Sequence, residues 1–235
     1  MTCLKSFTFY PRTDNCRWRR FKLLSDCEGF SEQDRAFLLR FLTHESELRE
    51  QRRIQQLLGM SGIKRVKRFS DFDWAFNPKI PRDKLMEFVE TQWLKAPCNL
   101  VLIGPAGVGK THIATALCYE AILKGHKTVF VSLFDLTAKL SKANNLYSLI
   151  DYYGKIPLLC LDELGYVVPT KEQADWIFQI FSKRSEVSNT LVTTNLIPSN
   201  WGKVFDTVTA SAILDRLSMN GKFITLEGRS YRIKK

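Results

Sequence analysis

The sequence predicts an α/β protein in which a parallel sheet is covered by helices on both faces. Three observations predict it. From residue 99 onward, short apolar runs of strand type alternate with segments of helical period. The first run, Leu100, Val101, Leu102 and Ile103, stops at a glycine-rich turn that opens a helix. Finally, three of the runs end in a glycine turn or in polar side chains, at Gly104, at Asp162-Glu163 and at Asn195. A parallel sheet brings such strand ends to one edge, where ligands of open α/β sheets bind.

Composition fits one substantial α/β core with a small helical appendage. The chain has 235 residues, 45% of them hydrophobic and 25% charged. Its formal net charge of +11 predicts an acidic partner, nucleic acid first. Residues 1–68 hold a net +7 of that excess. The six cysteines (Cys3, Cys16, Cys27, Cys98, Cys118, Cys160) show neither a C-x-x-C pair nor zinc-like spacing. They read as reduced thiols of a cytoplasmic protein. No apolar run approaches the ~18 residues of a membrane span, so no membrane partner is expected.

Taken in order, residues 1–30 form a basic arm without clear periodicity. Within it Arg17, Trp18, Arg19, Arg20, Phe21 and Lys22 mix cations with aromatics, as a nucleic-acid contact or a solvated tail would. Ser31 to Asp34 reads as a capping box, and Phe37, Leu38, Phe41, Leu42 and Leu48 then recur at helical spacing. Gly59 and Gly62 close that helix. A basic linker follows (Lys64, Arg65, Lys67, Arg68), either a solvated face or a phosphate contact. The aromatic run Phe69 to Phe76 is expected to pack on the core. Pro81 opens a helix expected to reach about Trp93, with Leu85, Met86, Phe88 and Val89 inward. Thr128 to Leu133, Ile156 to Leu161, Thr190 to Thr194 and Lys222 to Leu226 are the later strands. Helices are expected after Ser132, near Leu146–Tyr153, after the Thr170–Gln173 capping box, and near Thr209–Met219.

Two motifs carry chemistry. Gly104, Pro105, Ala106, Gly107, Val108, Gly109, Lys110 and Thr111 satisfy the P-loop pattern G-x-x-x-x-G-K-[ST], with His112 following. Glycines let backbone N–H groups curl around phosphate oxygens, and the helix start offers its positive end to the same anion. Lys110 is placed to reach the β- and γ-phosphates, and Thr111 to ligate Mg²⁺. The second motif is Asp162-Glu163 after four apolar residues, about 50 residues downstream, the Walker B pattern. Its aspartate would hold the Mg²⁺ shell and its glutamate would orient the attacking water. Asn195, at the next strand tip, either bridges that water and the γ-phosphate or serves as a turn residue.

The order G-P-A-G-V-G-K-T-H, L-L-C-L-D-E-L-G-Y, L-V-T-T-N, W-G-K-V-F, I-L-D-R-L and G-R-S-Y-R resembles the IstB-type transposition helper ATPases. These are AAA+ proteins close to the DnaC helicase loaders. The resemblance covers roughly residues 31–235 and implies a five-stranded sheet of order 5-1-4-3-2 with a small helical N-terminal region. The chain is expected to divide into the arm (1–30), which looks foreign to that family, the helical region with its linker (31–68) and the ATPase domain (69–235). The resemblance further implies ATP and Mg²⁺ as cofactors, a homo-oligomer in the ATP state, DNA, and a transposase encoded by the same element. On this basis Lys110 and Thr111 are the P-loop pair, Asp162 and Glu163 Walker B, and Asn195 sensor 1. Arg216 in D-R-L matches an arginine finger that reaches a neighbour's γ-phosphate, the alternative being an ion pair with Asp215 or a nearby acid. His112 is expected to pack rather than react, and Arg229 and Arg232 carry no assigned role. Lys139, Lys142 and Lys155, after the second strand, are candidate DNA contacts, with the linker cations Lys64, Arg65, Lys67 and Arg68 as rivals. Three functions compete: a transposition helper, a DnaC-like helicase loader, and a small-molecule kinase. Glu163, placed for water activation, argues against the kinase.

Overall fold

The computed structural model describes Gly29 and residues 31–90 and 92–233. The basic–aromatic cluster of the arm lies outside the described residues. The chain divides into two compact units, one up to Arg52 and one from Arg53.

Helix α1 (Glu32–Met60) starts at the expected box. Ser31 Oγ accepts from the Asp34 N–H at 3.2 Å, while Asp34 Oδ2 accepts from the Ser31 N–H at 3.0 Å. None of its residues is buried, Phe37 and Phe41 included, so its apolar stripe is not a core face.

From Arg53 onward a five-stranded, all-parallel sheet forms: β1 (Asn99–Ile103), β2 (Thr128–Ser132), β3 (Leu158–Leu164), β4 (Asn189–Thr194) and β5 (Gly221–Thr225). The order is β2-β3-β4-β1-β5, the one that the family resemblance implies. Alternation along β1 splits the core in two. Leu100 and Leu102 join α3 (Lys110–Leu123), the aromatic linker, and Leu85 and Phe88 on one face. Val101 and Ile103 join α4 (Leu133–Ser141), α5 (Leu146–Lys155), α6 (Lys171–Arg184) and α7 (Thr207–Ser218) on the other. Helix α3 closes in a Schellman motif: Gly125, at φ +80°, donates to Ile122 O and His126 to Ala121 O.

Two expectations change. The helix after Pro81 is α2 (Arg82–Met86) and stops there, followed by turns and a 3₁₀ segment over Gln92–Lys95. Trp93 Nε1 donates to Phe88 O at 2.8 Å and Lys124 Nζ to Val89 O at 3.0 Å, taking carbonyls that a longer helix would use. Leu85 and Phe88 are buried, whereas Met86 and Val89 are half-buried. The third strand also runs past Leu161 to Leu164, carrying Asp162 and Glu163 inside the ladder. Among the described residues no helix is long and apolar enough to cross a membrane.

Candidate functional site

Strand β1 delivers Gly104 to the carboxyl edge, where the Gly104 N–H donates to Thr194 O at 3.1 Å. The loop to Gly109 turns at Gly107 (φ +78°) and Gly109 (φ +111°), left-handed backbone that favours glycine. It is closed in from two sides. A Cβ on Gly107 would lie 2.0 Å from Ser230 Oγ, and one on Gly109 would lie 2.6 Å from the Phe72 ring. Tyr231 N–H donates to Gly107 O at 2.9 Å. Linker and C-terminal segment are joined above the loop, because Asn77 exchanges two hydrogen bonds of 2.9 Å with the Arg229 backbone. The cleft beneath is lined by the loop and by Lys67, Phe72, Glu163, Thr193, Tyr231 and Arg232.

Lys110 lies folded across the loop, its Nζ donating to Gly104 O at 2.7 Å and Pro105 O at 2.8 Å. Burial pushes its ammonium below the ordinary lysine range; Asp162 opposes that shift and Arg232 adds to it. A cation so desolvated, beside a second one, gains most from an incoming polyanion.

The Walker B pair sits in a β-bulge. Leu161 pairs with Val192 and Leu164 with Thr194, so that Asp162 and Glu163 together oppose Thr193. The buried Thr193 hydroxyl serves both. It donates to Asp162 Oδ1 in a short hydrogen bond and accepts from the Glu163 N–H at 3.0 Å. Glu163 itself stands at φ +61°, a strained conformation of the kind held at functional sites. The bulge re-aims its side chain from the strand ladder towards the cleft. Thr111 Oγ1 also donates to Asp162 Oδ1, at 3.2 Å. Burial raises the Asp162 carboxyl above its usual range, against the pull of the Thr193 and Thr111 hydroxyls.

The Thr111 hydroxyl and Asp162 carboxylate are hard oxygen donors side by side at a helix start. They suit Mg²⁺, which takes one or two protein oxygens and completes its shell with phosphate and water. Among the described residues no three His, Cys, Asp or Glu side chains gather into a metal cage.

Residues 25–235 match the family described as IstB-like ATP binding protein. The chain belongs to that family. It is 36% identical over 201 residues to an ATP-binding protein of insertion sequence IS232 from Bacillus thuringiensis subsp. berliner, a match spanning 84% of this chain and 80% of the relative. Identity to the ATP-binding protein of insertion sequence IS21 from Pseudomonas aeruginosa is also 36%, over 204 residues, 85% of this chain and 77% of that one. The crystal structure of DnaI aligns with a TM-score of 0.59 at 25% identity, covering 70% of this chain and 89% of the other. This IstB-family protein is therefore an ATP-binding AAA+ ATPase.

The remaining predicted residues of the IstB site are dispersed. His112 stays at the cleft, its ring meeting Phe72 edge-on and its Nε2 donating to Arg68 O at 2.9 Å. Asn195 stands exposed one residue past β4, its Oδ1 2.8 Å from where a Gly165 Cβ would be. Arg216 lies in the last turn of α7 at the opposite edge of the sheet. Its carbonyl accepts from Asn99, which opens β1, while Gly104 follows the other end of that strand. Five residues of strand, roughly 17 Å, separate the two ends. The Arg216 side chain pairs with Asp215 at 3.2 Å.

The candidate DNA-contact cations divide as well. Lys139, Lys142, Lys155, Lys64 and Arg65 are exposed, Lys155 with Asp151 at 2.7 Å. Lys67 lines the ATP cleft and Arg68 lies over the Tyr119 ring. Thr193, Tyr231 and Arg232 went unassigned in the sequence. A threonine in a strand reads only as a strand former, and the S-Y-R segment gave no sign that it would fold onto the P-loop.

Proposed function

We propose that this ATPase is the DNA-binding helper of an insertion-sequence transposition system, cytoplasmic, assembling on DNA in its ATP state and activating or targeting a transposase from the same element. One observation carries the reading: at 36% identity over more than four-fifths of the chain, the relatives are ATP-binding proteins of insertion sequences.

In the proposed cycle the loop N–H groups and Lys110 hold the β- and γ-phosphates, with Arg232 adding positive charge from the C-terminal segment. Thr111 and Asp162 would hold Mg²⁺, which neutralises charge on the phosphate oxygens. Glu163 accepts hydrogen bonds from the attacking water and aligns it with the γ-phosphorus. Asn195, beside the same cleft edge, senses that water or the γ-phosphate. Arg216 lies too far from its own P-loop to serve it, which supports a role in the neighbouring subunit's site. An arginine supplied in trans is worth ~10³–10⁵ in rate in P-loop enzymes. DNA is gripped through phosphates by Lys139 and Lys142 with Lys155, or by Lys64 and Arg65 of the linker. Lys67 lines the nucleotide cleft, and Arg68, over the Tyr119 ring, stays a rival contact with Lys64 and Arg65. Residues 1–30 act as a basic arm on the same polyanion.

Hydrolysis measured with and without duplex DNA, together with capture of the transposase encoded beside the gene, tests this. Stimulation by DNA that fades steeply with salt, plus capture of the transposase, is the expected result. Capture of a replicative helicase instead would support the loader reading. ATP turnover indifferent to DNA would sink both.

A further inference from the structure

Strand β1 has the phosphate cradle at its carboxyl end and, at its amino end, the side chain that closes the helix bearing Arg216. Asn99 is buried, 6% exposed. Its Nδ2 donates to the carbonyls of Arg216 at 3.1 Å, Leu217 at 3.2 Å and Met219 at 3.0 Å. The Asn99 backbone N–H donates to Asn220 O at 3.2 Å. A helix leaves its last carbonyls without partners from within the helix. At α7 they are gathered by one carboxamide from a different element. The turn that follows is equally confined. Asn220 sits at φ +58°, and a Cβ on Gly221 would lie 2.2 Å from Leu217 O. The backbone root of Arg216 is thus fixed to the sheet. Its tip is not: the side chain is 39% exposed and pairs with an Asp215 side chain that is 71% exposed. An ion pair so wet holds the side chain only weakly, and a nucleotide phosphate can replace it.

We infer that Asn99 is a positioning residue for Arg216, setting the arginine that one subunit offers to the nucleotide of the next. The inference rests on the proposed role of Arg216 in trans. Its consequence is directional. Loss of the Asn99 carboxamide leaves the subunit's own Lys110, Asp162 and Glu163 in place and spoils the site of its neighbour. Misplacement of a catalytic group by about 1 Å can cost ~10²-fold in rate, so a loosened root matters although the arginine is still present.

The test uses the full chain with ATP, Mg²⁺ and random-sequence duplex DNA. Asn99→Ala removes the carboxamide; Asn99→Asp keeps its shape and removes both N–H donors. Each is expected to lower kcat by ~10–100-fold while KM and ATP affinity stay within about twofold. Mixed with Glu163→Gln, whose arginine is intact, each should regain activity in part. Mixed with Arg216→Ala it should regain none, since neither partner then has a well-placed arginine to lend. Added to Arg216→Ala, Asn99→Ala should lower kcat no further, whereas a purely structural residue would lower it again. Arg216→Ala mixed with Glu163→Gln runs alongside. If that pair regains activity and the Asn99 variants do not, the Asn99 inference fails alone. If that pair co-assembles and stays inactive, the in-trans reading fails and takes this inference with it. An unchanged kcat, or failure of both Asn99 variants to fold, also overturns it.

Discussion

At the carboxyl edge of the sheet the buried polar side chains face a cleft, while at the amino edge they are closed onto the backbone. Lys110 and Asp162 belong to the first kind. Each is held by groups it can exchange for a ligand, loop carbonyls for the lysine and two hydroxyls for the aspartate. Burial disfavours the charged form of both. Asn99, Arg184 and Asn189 belong to the second kind. Arg184 is 1% exposed and among the described residues has no acid paired with it; it donates to Tyr153 O at 2.7 Å, Ile156 O at 2.8 Å, Thr190 Oγ1 at 3.0 Å and, in a short contact, Asn189 O. Burial alone pulls its guanidinium down to about 9, which still leaves it charged at neutral pH. Equal burial therefore means different things at the two edges. Polar groups at one wait for a nucleotide and its metal ion, and at the other they tie strand starts to helix ends.

The largest effects that test this contrast lie at the carboxyl edge. Lys110→Ala should abolish ATP binding, and Glu163→Gln should bind ATP yet hydrolyse it at least ~100-fold more slowly. Both should melt within a few degrees of the parent without nucleotide. Fluorescent-nucleotide titration and single-turnover hydrolysis separate the two. Unchanged turnover in Glu163→Gln would remove Glu163 from the water.

Arg184 should behave in the opposite way. Arg184→Ala leaves several buried carbonyls without a donor and should cost about 3 kcal/mol or more of stability. Turnover per folded molecule below the melting point should be nearly unchanged. Arg184→Lys should recover little of the loss, because one ammonium cannot reproduce a planar fork spread over four acceptors. Chemical denaturation measures the first effect and active-site-normalised kcat the second. A stable Arg184→Ala protein with impaired turnover would erase the distinction between the edges.

Most of the carboxyl edge was legible in the sequence, and almost none of the amino edge was. The P-loop and Walker B are readable because their chemistry demands particular residues at short spacing. Parallel strands and capping boxes at Ser31 and Thr170 follow from local patterns of the same kind. Asn99 and Arg184 serve partners that the fold brings together, and an asparagine opening a strand or an arginine ending a helix has an ordinary local explanation. The link between Asn77 and Arg229 spans 152 residues, beyond any periodicity. The bulge was hidden for a related reason. Acids often end strands, so Asp162-Glu163 read as the strand's end rather than as two residues opposite Thr193.

Thr193 gives a smaller and more selective effect. Thr193→Val keeps size and β-branching and removes only the hydroxyl that joins Asp162 to the Glu163 N–H. With that link gone the strained Glu163 backbone can relax, and the carboxylate loses its aim. A fall in kcat of about 10-fold, with ATP affinity changed less than threefold, is expected. Thr193→Ser should restore most of it. If valine and serine are equally slow, the methyl group rather than the hydroxyl matters, and the bulge needs only packing.

The smallest effect reverses the usual direction of a mutation. Asp162 carries its charge at a buried position, and burial raises its carboxyl above the unfolded value. For an acid whose folded pKa is raised, the folded state holds its proton longer than the unfolded one. Stability linked to this group is therefore greatest at low pH and falls as pH rises from the unfolded pKa through the folded one. At neutral pH the ionised carboxylate is a net cost to the nucleotide-free protein. Asp162→Asn keeps an oxygen for the Thr111 and Thr193 hydroxyls and removes the charge. Without nucleotide it should melt higher than the parent at pH 7, by roughly 2–4 °C per kcal/mol recovered. The gain should shrink as pH falls toward the carboxyl range, where the parent becomes neutral too. With ATP and Mg²⁺ present the order should invert, because a carboxylate holds the ion more strongly than a carboxamide and the parent gains more stability from the ligand. An Asp162→Asn protein less stable than the parent at pH 7 without nucleotide would mean that the two hydroxyls already compensate the charge, and that Asp162 belongs with Arg184 rather than with Lys110.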